Sequence, residues 1–257
     1  MNIIAIIPAR MGSSRFPGKP LADIHGVPMV GHVALRTTMA PAVSETWIAT
    51  CDEEIMEYAR KAGIKAVMTA DTHERCTDRT AEAMLKIEEM TGKSVDIVVM
   101  VQGDEPMVTP DMIDAAIAPM LEDASVNVTN LMADMETEAE FEDPNEVKVV
   151  TDLHGDALYF SREPVPSRKK GVLNVPMRKQ VCVIPFRRDY LLRFNNLPET
   201  PLERIESVDM MRILEHGEKV RMVPFSGRTL SVDTPQDLER ARAMMQQDTL
   251  RRDYTGA

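Results

Sequence analysis

The sequence predicts an α/β fold in which the central sheet is mainly parallel. Residues 2–8 and 95–101 are strand-length apolar runs, and the second of them, VDIVVMV, is rich in β-branched residues. Such runs are typical of strands buried on both faces of a sheet. Helical segments alternate with short strands through the N-terminal half, as right-handed βαβ crossovers require. Because ligands of such sheets bind outside the carboxyl ends of the strands, we expect function in the segments that follow the two runs.

The elements of the N-terminal half follow from hydrophobic periodicity and from turn residues. In residues 53–62, Ile55, Ala59 and Ala62 share one helical face, and Gly63 is expected to end the helix. The predicted order is a strand at 2–8, a helix at 29–39, a strand at 45–50, a helix at 53–62, a strand at 64–69, a helix at 77–90 and a strand at 95–101.

The C-terminal half is less regular, and no linker interrupts it, so a single domain spanning 1–257 is predicted. Thr234 is suited to cap the last helix, because its hydroxyl can accept a hydrogen bond from the first turn, where Pro235 fits. The tail from Gln246 onward is expected to fray. The predicted elements are strands at 126–131, 147–151, 157–160 and 180–184, a helix at 205–216, a strand at 219–224 and a helix at 235–245.

Composition excludes several classes of protein. The chain has 257 residues and a net charge of −11, which repels polyanions, so nucleic acid is not expected as a partner. No apolar stretch approaches the length of a membrane span, and the N-terminus lacks the pattern of a signal peptide. Cys51, Cys76 and Cys182 are far apart and show no metal or redox spacing, which indicates free thiols. We therefore expect no membrane association and a cytoplasmic location.

The loop that follows the first strand, PARMGSSRFPGKP at 8–20, has the composition of a polyphosphate site. Glycines let backbone amides approach phosphate oxygens, and the hydroxyls of Ser13 and Ser14 can donate hydrogen bonds. Arg10, Arg15 and Lys19 would offset the charge of a triphosphate. The spacing does not match a Walker A loop or the GxGxxG pattern. A solvated basic turn is the alternative interpretation.

Two further segments carry carboxylates that could hold a hard cation. In VQGDEP, at 101–106, Asp104 and Glu105 follow the predicted strand at 95–101, where a carboxylate can share Mg²⁺ with a nucleotide. In SVDTPQDLERAR, at 231–242, Asp233 precedes a capped helix. Each carboxylate has a simpler alternative, since acidic residues are common in turns and at helix N-termini.

In combination, these segments resemble one known family. PARxxSxRxPGKPL, a TDR segment, VQGDEP, ALYFSR, PLE and VDTPxDLER occur in the order found in the 3-deoxy-manno-octulosonate (KDO) cytidylyltransferases, and the similarity runs nearly end to end. The resemblance implies a Rossmann-like nucleotidyltransferase fold with a small dimerisation flap at about 155–190, and hence a homodimer. It also implies the use of CTP and Mg²⁺ to activate an acidic small-molecule acceptor, a 2-keto sugar acid, by attack of its anomeric hydroxyl on the α-phosphate.

The resemblance also implies roles for individual residues. Asp104 and Asp233 would hold the metal, and together with Arg10 and Lys19 they would form the catalytic group. The residues implied to bind the nucleotide are Pro8, Ala9, Arg10, Ser13, Ser14, Arg15, Lys19, Thr77, Arg79 and Gln102. The residues implied to border the acceptor are Gln102, Arg162, Gln180, Ile184 and Asp209.

The chain departs from the family pattern at three places. Cys76 stands where the family segment SGTDR has glycine, which alters the expected base site. Gln180 and Ile184 replace an imidazole and a phenol of the segment HLGIYGYR, and Asp209 replaces a longer Glu. Because polar groups of a sugar pocket discriminate strongly, these changes leave the acceptor open. The hypotheses are a KDO cytidylyltransferase, a relative that uses another acid such as a nonulosonic acid or a phosphonate, and a non-catalytic nucleotide-binding regulator.

Overall fold

The computed structural model describes residues 1–12, 15–172 and 174–256. Twelve strands lie within these residues. The chain divides into two compact units, Met1–Asp114 with Arg228–Ala257, and Ala115–Gly227. The strands are β1 (Ile3–Pro8), β2 (Asp23–Ile24), β3 (Val27–Pro28), β4 (Glu45–Thr50), β5 (Ala66–Met68), β6 (Ile97–Val101), β7 (Thr129–Asp134), β8 (Lys148–Thr151), β9 (Ala157–Ser161), β10 (Arg178–Val181), β11 (Val183–Arg187) and β12 (Arg221–Phe225).

The described residues also form ten α-helices, which alternate with the strands from β3 to β6. None of the helices in the described part of the chain combines the length and hydropathy needed to cross a membrane. The helices are α1 (Met29–Thr38), α2 (Glu53–Ala62), α3 (Cys76–Thr91), α4 (Pro110–Glu122), α5 (Glu138–Glu142), α6 (Arg188–Asn195), α7 (Pro201–Glu206), α8 (Met210–Glu215), α9 (Pro235–Gln246) and α10 (Thr249–Thr255).

The first unit contains the predicted parallel sheet. Its strands lie in the order β6-β1-β4-β5, and each neighbouring pair is parallel. Every residue of β1 and of β6 is buried, as expected for strands covered on both faces. The prediction of a central parallel sheet is therefore confirmed, and the carboxyl ends of β1 and β6 lie side by side.

The second unit is built on a mixed sheet with the order β12-β7-β10-β8-β9. The pair of β12 and β7 is parallel, and the remaining pairs are antiparallel. The predicted strand at 180–184 is in fact two strands, β10 and β11, which are interrupted at Cys182. The predicted flap region, 155–190, belongs to this unit, although its role in dimerisation stays a prediction.

Two further predictions for the C-terminal half were wrong. The helix expected at 205–216 is split into α7 and α8, because Ser207 adopts the left-handed conformation with a φ of 52° and ends α7. The tail expected to fray from Gln246 instead forms α10. Asp248 accepts a hydrogen bond from the backbone N–H of Leu250 and so caps that helix.

Long-range hydrogen bonds hold α10 against α1 within the first unit. The Tyr254 hydroxyl lies 2.6 Å from Nδ1 of His32 and accepts a hydrogen bond from Nε of Arg36 at 3.0 Å. Arg36 also forms an ion pair with Asp248. His32 and Arg36 are almost fully buried. Because none of these contacts is local in sequence, hydrophobic periodicity could not reveal them.

Candidate active site

A cavity of about 260 Å³ opens in the first unit where β1 and β6 end. The position is the one expected for a ligand of a parallel α/β sheet. Both segments predicted to follow these strands contribute to its wall. The lining residues are Pro8, Ala9, Arg10, Gly12, Arg15, Lys19, Pro20, Met29, Cys76, Gln102, Gly103 and Asp104.

Two glycines give the cavity wall its shape. Gly18 has a φ of +75°, and its N–H donates to the carbonyl of Met11 at 3.1 Å, which closes the loop on itself. Gly103 packs against the end of β1 so closely that a Cβ atom there would lie 3.2 Å from the Pro8 carbonyl oxygen. Gly103 was not among the residues predicted from the sequence, although an isolated glycine in a strand pattern is a signal of close backbone approach.

Lys19 joins the two carboxylates that the sequence predicted as metal ligands. Its Nζ donates to Oδ2 of Asp104 at 2.8 Å, to Oδ1 of Asp233 at 3.4 Å and to the carbonyl of Val232 at 2.8 Å. Burial by itself would lower the pKa of Lys19, but the charges of Asp104 and Asp233 outweigh burial and raise the pKa above its ordinary value. The ammonium group therefore stays charged near neutral pH.

Asp104 and Asp233 come from distant parts of the chain and are brought together by the backbone. The N–H of Val232 donates to the carbonyl of Asp104 at 3.0 Å. Asp233 precedes α9, which begins with a capping box between Thr234 and Asp237. Since Asp237 and Thr234 serve the cap, the Asp233 side chain is left to face Lys19 and Arg15.

The arginines of the loop reach the cavity from its exposed side. Arg15 is about half exposed, and its Nη2 atom lies 2.9 Å from Oδ1 of Asp233. Arg10 is exposed and lines the cavity. Ser13 and Ser14, which were predicted to bind phosphate, lie outside the described residues. The loop thus presents three cationic side chains to a space that can hold an anionic ligand.

Asp104 has an oxygen that suits a metal ion. Its Oδ1 atom is buried and accepts no hydrogen bond from any residue in the described part of the chain. A buried carboxylate oxygen without a partner is costly, and a hard cation such as Mg²⁺ would satisfy it. Within residues 1–12, 15–172 and 174–256, no group of three or more His, Cys, Asp or Glu side chains could hold a metal. Any ion at Asp104 and Asp233 would therefore need other oxygens, such as phosphate.

The segment predicted to border the base lies at the start of α3. Cys76, the first residue of α3, lines the cavity, and the next residue, Thr77, is buried. Arg79 is also buried, and its guanidinium donates to Oγ1 of Thr69 at 2.5 Å and to the carbonyl of Ala70 at 3.2 Å. Arg79 thus shapes the loop before α3, and its contact with a base stays a prediction.

Arg162, which was predicted to face the acidic acceptor, binds backbone carbonyls in the second unit. It donates to the carbonyl of Glu206 at 2.6 Å, to that of Pro144 at 2.8 Å and to that of Ser207 at 3.4 Å. These bonds hold the turn between α7 and α8. The geometry therefore favours a structural role for Arg162 over direct contact with an anion.

The other predicted acceptor residues of the second unit differ in exposure. Ile184 is only 2% exposed and belongs to the core, which does not favour contact with a ligand. Asp209 lies just before α8 and is partly exposed. Gln180 is half-buried, and its side-chain amide donates to Asn130, a buried residue that was not predicted from the sequence. A lone Asn within a strand gives no sequence signal of this kind.

Comparison with known proteins agrees with the resemblance. A family model described as cytidylyltransferase matches residues 4–220. The 3-deoxy-manno-octulosonate cytidylyltransferase of Geobacter metallireducens is 46% identical over 93% of this chain and 96% of the relative, and that of Geobacter sulfurreducens is 44% identical over 93% and 98%. A solved structure of CMP:2-keto-3-deoxy-manno-octonic acid synthetase complexed with CTP matches with a TM-score of 0.88 at 39% identity, covering 96% of this chain and 99% of that one. The similarity thus extends over both compact units.

Proposed function

Since the chain belongs to the family of 3-deoxy-manno-octulosonate cytidylyltransferases, and is thus a CTP-dependent nucleotidyltransferase, we propose that it transfers the cytidylyl group of CTP to KDO. The products are the CMP-sugar and pyrophosphate. One observation carries the proposal: three cations of the loop and the Asp104 carboxylate line a single cavity at the ends of β1 and β6. A regulator that merely binds nucleotide would not need the paired carboxylates.

The cationic loop supports binding of a triphosphate. Arg10, Arg15 and Lys19 together carry three positive charges, and Gly12 and Gly18 allow backbone amides to approach phosphate oxygens. Lys19 is held in place by Asp104 and Asp233, so its ammonium group is oriented before a nucleotide arrives. Such preorganisation reduces the entropy that is lost on binding.

Magnesium is the proposed cofactor, with Asp104 and Asp233 as its protein ligands. The unpartnered Oδ1 of Asp104 and the hard oxygen donors of both carboxylates fit this ion. When bound, the ion supplies positive charge that neutralises the phosphates and makes the α-phosphate more electrophilic. The requirement for additional oxygens agrees with a site that is completed by the nucleotide.

The proposed reaction is a substitution at the α-phosphorus. A bond forms between the anomeric oxygen of KDO and the α-phosphorus of CTP, and the hydroxyl proton is released. The bond from the α-phosphorus to the oxygen that bridges to the β-phosphate breaks, and pyrophosphate leaves with that electron pair. Arg10, Arg15 and Lys19 would stabilise the charge that builds on the leaving group, so catalysis consists of positioning and charge neutralisation.

Turnover with a panel of acids tests the proposal. Pyrophosphate release is measured with CTP and Mg²⁺ in the presence of KDO, a nonulosonic acid or a phosphonate. Release with KDO supports the proposal, and release with another acid alone identifies that acid as the acceptor and overturns the assignment to KDO. The panel includes acids other than KDO because the chain departs from the family pattern at Cys76, Gln180 and Ile184, which leaves the acceptor open. CTP binding without turnover on any acid would favour a regulator.

We further propose that the protein is a homodimer of the cytoplasm. The family resemblance supports dimerisation through residues of the 155–190 region, and the three free cysteines suit a reducing compartment. Analytical ultracentrifugation of the purified chain measures the oligomeric state. A monomer at micromolar concentration would contradict the dimer without affecting the assignment of the reaction.

A further inference from the structure

Asp52 lies in the first unit, between the end of β4 and the start of α2, and its carboxylate contacts the loop at 8–20. Oδ2 of Asp52 accepts a hydrogen bond from the backbone N–H of Met11 at 2.8 Å, although the two residues are 41 positions apart in the chain. Met11 stands between Arg10 and Gly12, which both line the cavity. The contact is therefore made to the backbone of the cavity wall itself.

Asp52 occupies the position from which an aspartate normally caps a helix. It is the N-cap residue of α2, and a side chain at that position usually accepts a hydrogen bond from an N–H of the first helical turn. In the part of the chain that the structure describes, the Asp52 side chain makes no such bond to α2. Its carboxylate is directed to Met11 instead, so the loop at 8–20 is held at the expense of a side-chain cap on α2.

Met11 connects two parts of the loop at 8–20. Its N–H is held by Asp52, and its carbonyl accepts a hydrogen bond from the N–H of Gly18 at 3.1 Å. Lys19, whose side chain is largely buried, follows Gly18 directly. Because the Met11 peptide groups are bonded in both directions, a change at Asp52 is transmitted to the backbone on both sides of the cavity wall.

The backbone around Asp52 is itself held by β4. The N–H of Asp52 donates to Oγ1 of Thr50 at 3.1 Å, and Thr50 is fully buried. The N–H of Ala9 donates to the carbonyl of Ala49 at 2.9 Å, which continues the pairing of β1 with β4 into the loop. A carboxylate is a strong acceptor for a backbone N–H. The end of β4 therefore provides a firm anchor for Met11.

We propose that Asp52 is a positioning residue for the nucleotide: its carboxylate fixes the N–H of Met11 and thereby the backbone from which Arg10 and Gly12 face a triphosphate. The inference rests on the proposed function, because it assumes that the cavity receives CTP. Electrostatics alone gives the opposite expectation, since a carboxylate near the cavity repels phosphate groups and its removal would strengthen binding. The sign of the change in CTP affinity therefore distinguishes positioning from simple repulsion.

Asp52→Ser separates the anchor from the helix cap. The serine hydroxyl is one bond closer to the backbone and is too short to keep the contact with Met11, but serine is among the preferred N-cap residues and can accept from the first turn of α2. We expect the Kd for CTP to rise roughly tenfold without a loss of melting temperature. Isothermal titration calorimetry in the presence of Mg²⁺ measures the Kd for CTP and for inorganic tripolyphosphate.

Two further variants serve as controls. Asp52→Asn removes the charge and keeps an oxygen that can accept from Met11, so its Kd for CTP should stay within about threefold of the wild-type value. Glu54→Ser removes a carboxylate from the first turn of the same helix, where Glu54 is exposed, and should leave the Kd unchanged. Melting temperatures of all three variants report any loss of stability.

Each result decides the proposal. An unchanged or lower Kd for CTP in Asp52→Ser overturns it, and so does an Asp52→Asn variant that binds CTP as weakly as Asp52→Ser. If the melting temperature of Asp52→Ser falls together with its affinity, Asp52 supports the fold rather than the loop, which also overturns the proposal. CTP and tripolyphosphate bind without an acceptor, so a failure of KDO to react refutes only the proposed function. A wild-type protein that binds neither ligand refutes both.

Discussion

Nζ of Lys19 lies 2.8 Å from Oδ2 of Asp104 and 3.4 Å from Oδ1 of Asp233, so one ammonium group bridges the two carboxylates proposed to hold a metal. The ammonium group and a divalent cation would compete for the negative charge of the same two carboxylates. Asp104 and Asp233 raise the pKa of Lys19, so its ammonium group stays charged. A metal ion that binds to the nucleotide-free protein therefore has to displace or be repelled by this positive charge. A nucleotide triphosphate would relieve the competition by giving Lys19 other anionic partners.

Lys19→Met should therefore strengthen metal binding in the absence of CTP. We expect the affinity for Mn²⁺, measured by electron paramagnetic resonance, to rise about tenfold as the competing charge is removed, while the affinity for CTP falls by a similar factor. Lys61→Met, at an exposed site on α2, serves as the control and should change neither affinity. Unchanged Mn²⁺ affinity in Lys19→Met would show that the ammonium group does not compete with the metal.

Asp104→Asn should abolish metal-dependent turnover and leave the fold intact. The amide cannot supply the anionic oxygen that Mg²⁺ prefers, so we expect kcat to fall by at least about a hundredfold. Asp233→Asn should lower kcat as well. Pyrophosphate release across a Mg²⁺ titration measures the effect, and circular dichroism checks the fold. The exposed Asp111→Asn is the control; full activity in Asp104→Asn would refute the metal assignment.

Gly103→Ala should disturb the wall of the cavity. The added Cβ would lie 3.2 Å from the Pro8 carbonyl oxygen, so that oxygen, at the start of the cationic loop, has to give way by a few tenths of an ångström. We expect a loss of about 1 kcal/mol in the free energy of unfolding, together with a higher KM for CTP. Chemical denaturation of Gly103→Ala and Gly12→Ala provides the comparison, because a Cβ at Gly12 meets nothing within 4 Å. Equal stability of the two variants would argue against the close approach.

His32 should make the protein less stable in mild acid. Burial lowers its pKa to about 4, below the ordinary value of 6.5, so the folded protein holds a neutral imidazole. Between pH 6.5 and 4 the unfolded chain binds a proton that the folded chain does not, and the stability falls as the pH falls. The loss contributed by His32 approaches roughly 3 kcal/mol at pH 4.

His32→Gln isolates this contribution. The glutamine amide can still donate to the Ile24 carbonyl, as Nε2 of His32 does at 2.7 Å, but it has no proton to gain. Urea denaturation at several pH values should show a smaller acid-dependent loss of stability for the variant than for the wild type. Parallel pH curves for the two proteins would exclude His32 as the source.

The elements predicted correctly are those whose pattern is local. The strand Glu45–Thr50 and the helix Glu53–Ala62 were predicted with the boundaries that the structure has, because β-branched residues, an amphipathic stripe and a terminal glycine lie within a few residues of each other. The helix expected at 205–216 failed because Ser207 takes a left-handed conformation. Arg162 holds that turn from another part of the chain, and no local pattern reports such a contact.

The same distinction applies to the candidate site. Arg10, Arg15 and Lys19 lie in one loop with glycines, so their shared role could be predicted from the sequence. Asp104 follows a buried strand, and this position predicts that its side chain lies at the ligand-binding edge of the sheet. That Asp233 lies beside Lys19 depends on the folded chain; the family resemblance implied only that Asp233 acts together with Asp104. The partners of Arg79 and Arg162 were not predictable at all, since a sequence shows a cation but not the carbonyl groups that it will bind.

The first compact unit is assembled from both ends of the chain, Met1–Asp114 and Arg228–Ala257. During synthesis on a ribosome, the phosphate loop and Asp104 emerge long before Asp233 does. A truncated product that ends before residue 228 would possess the loop but lack the second carboxylate and α10, which packs on α1. Unfinished chains should therefore be inactive, and the capacity to consume CTP should arise only as translation of the last helices is completed.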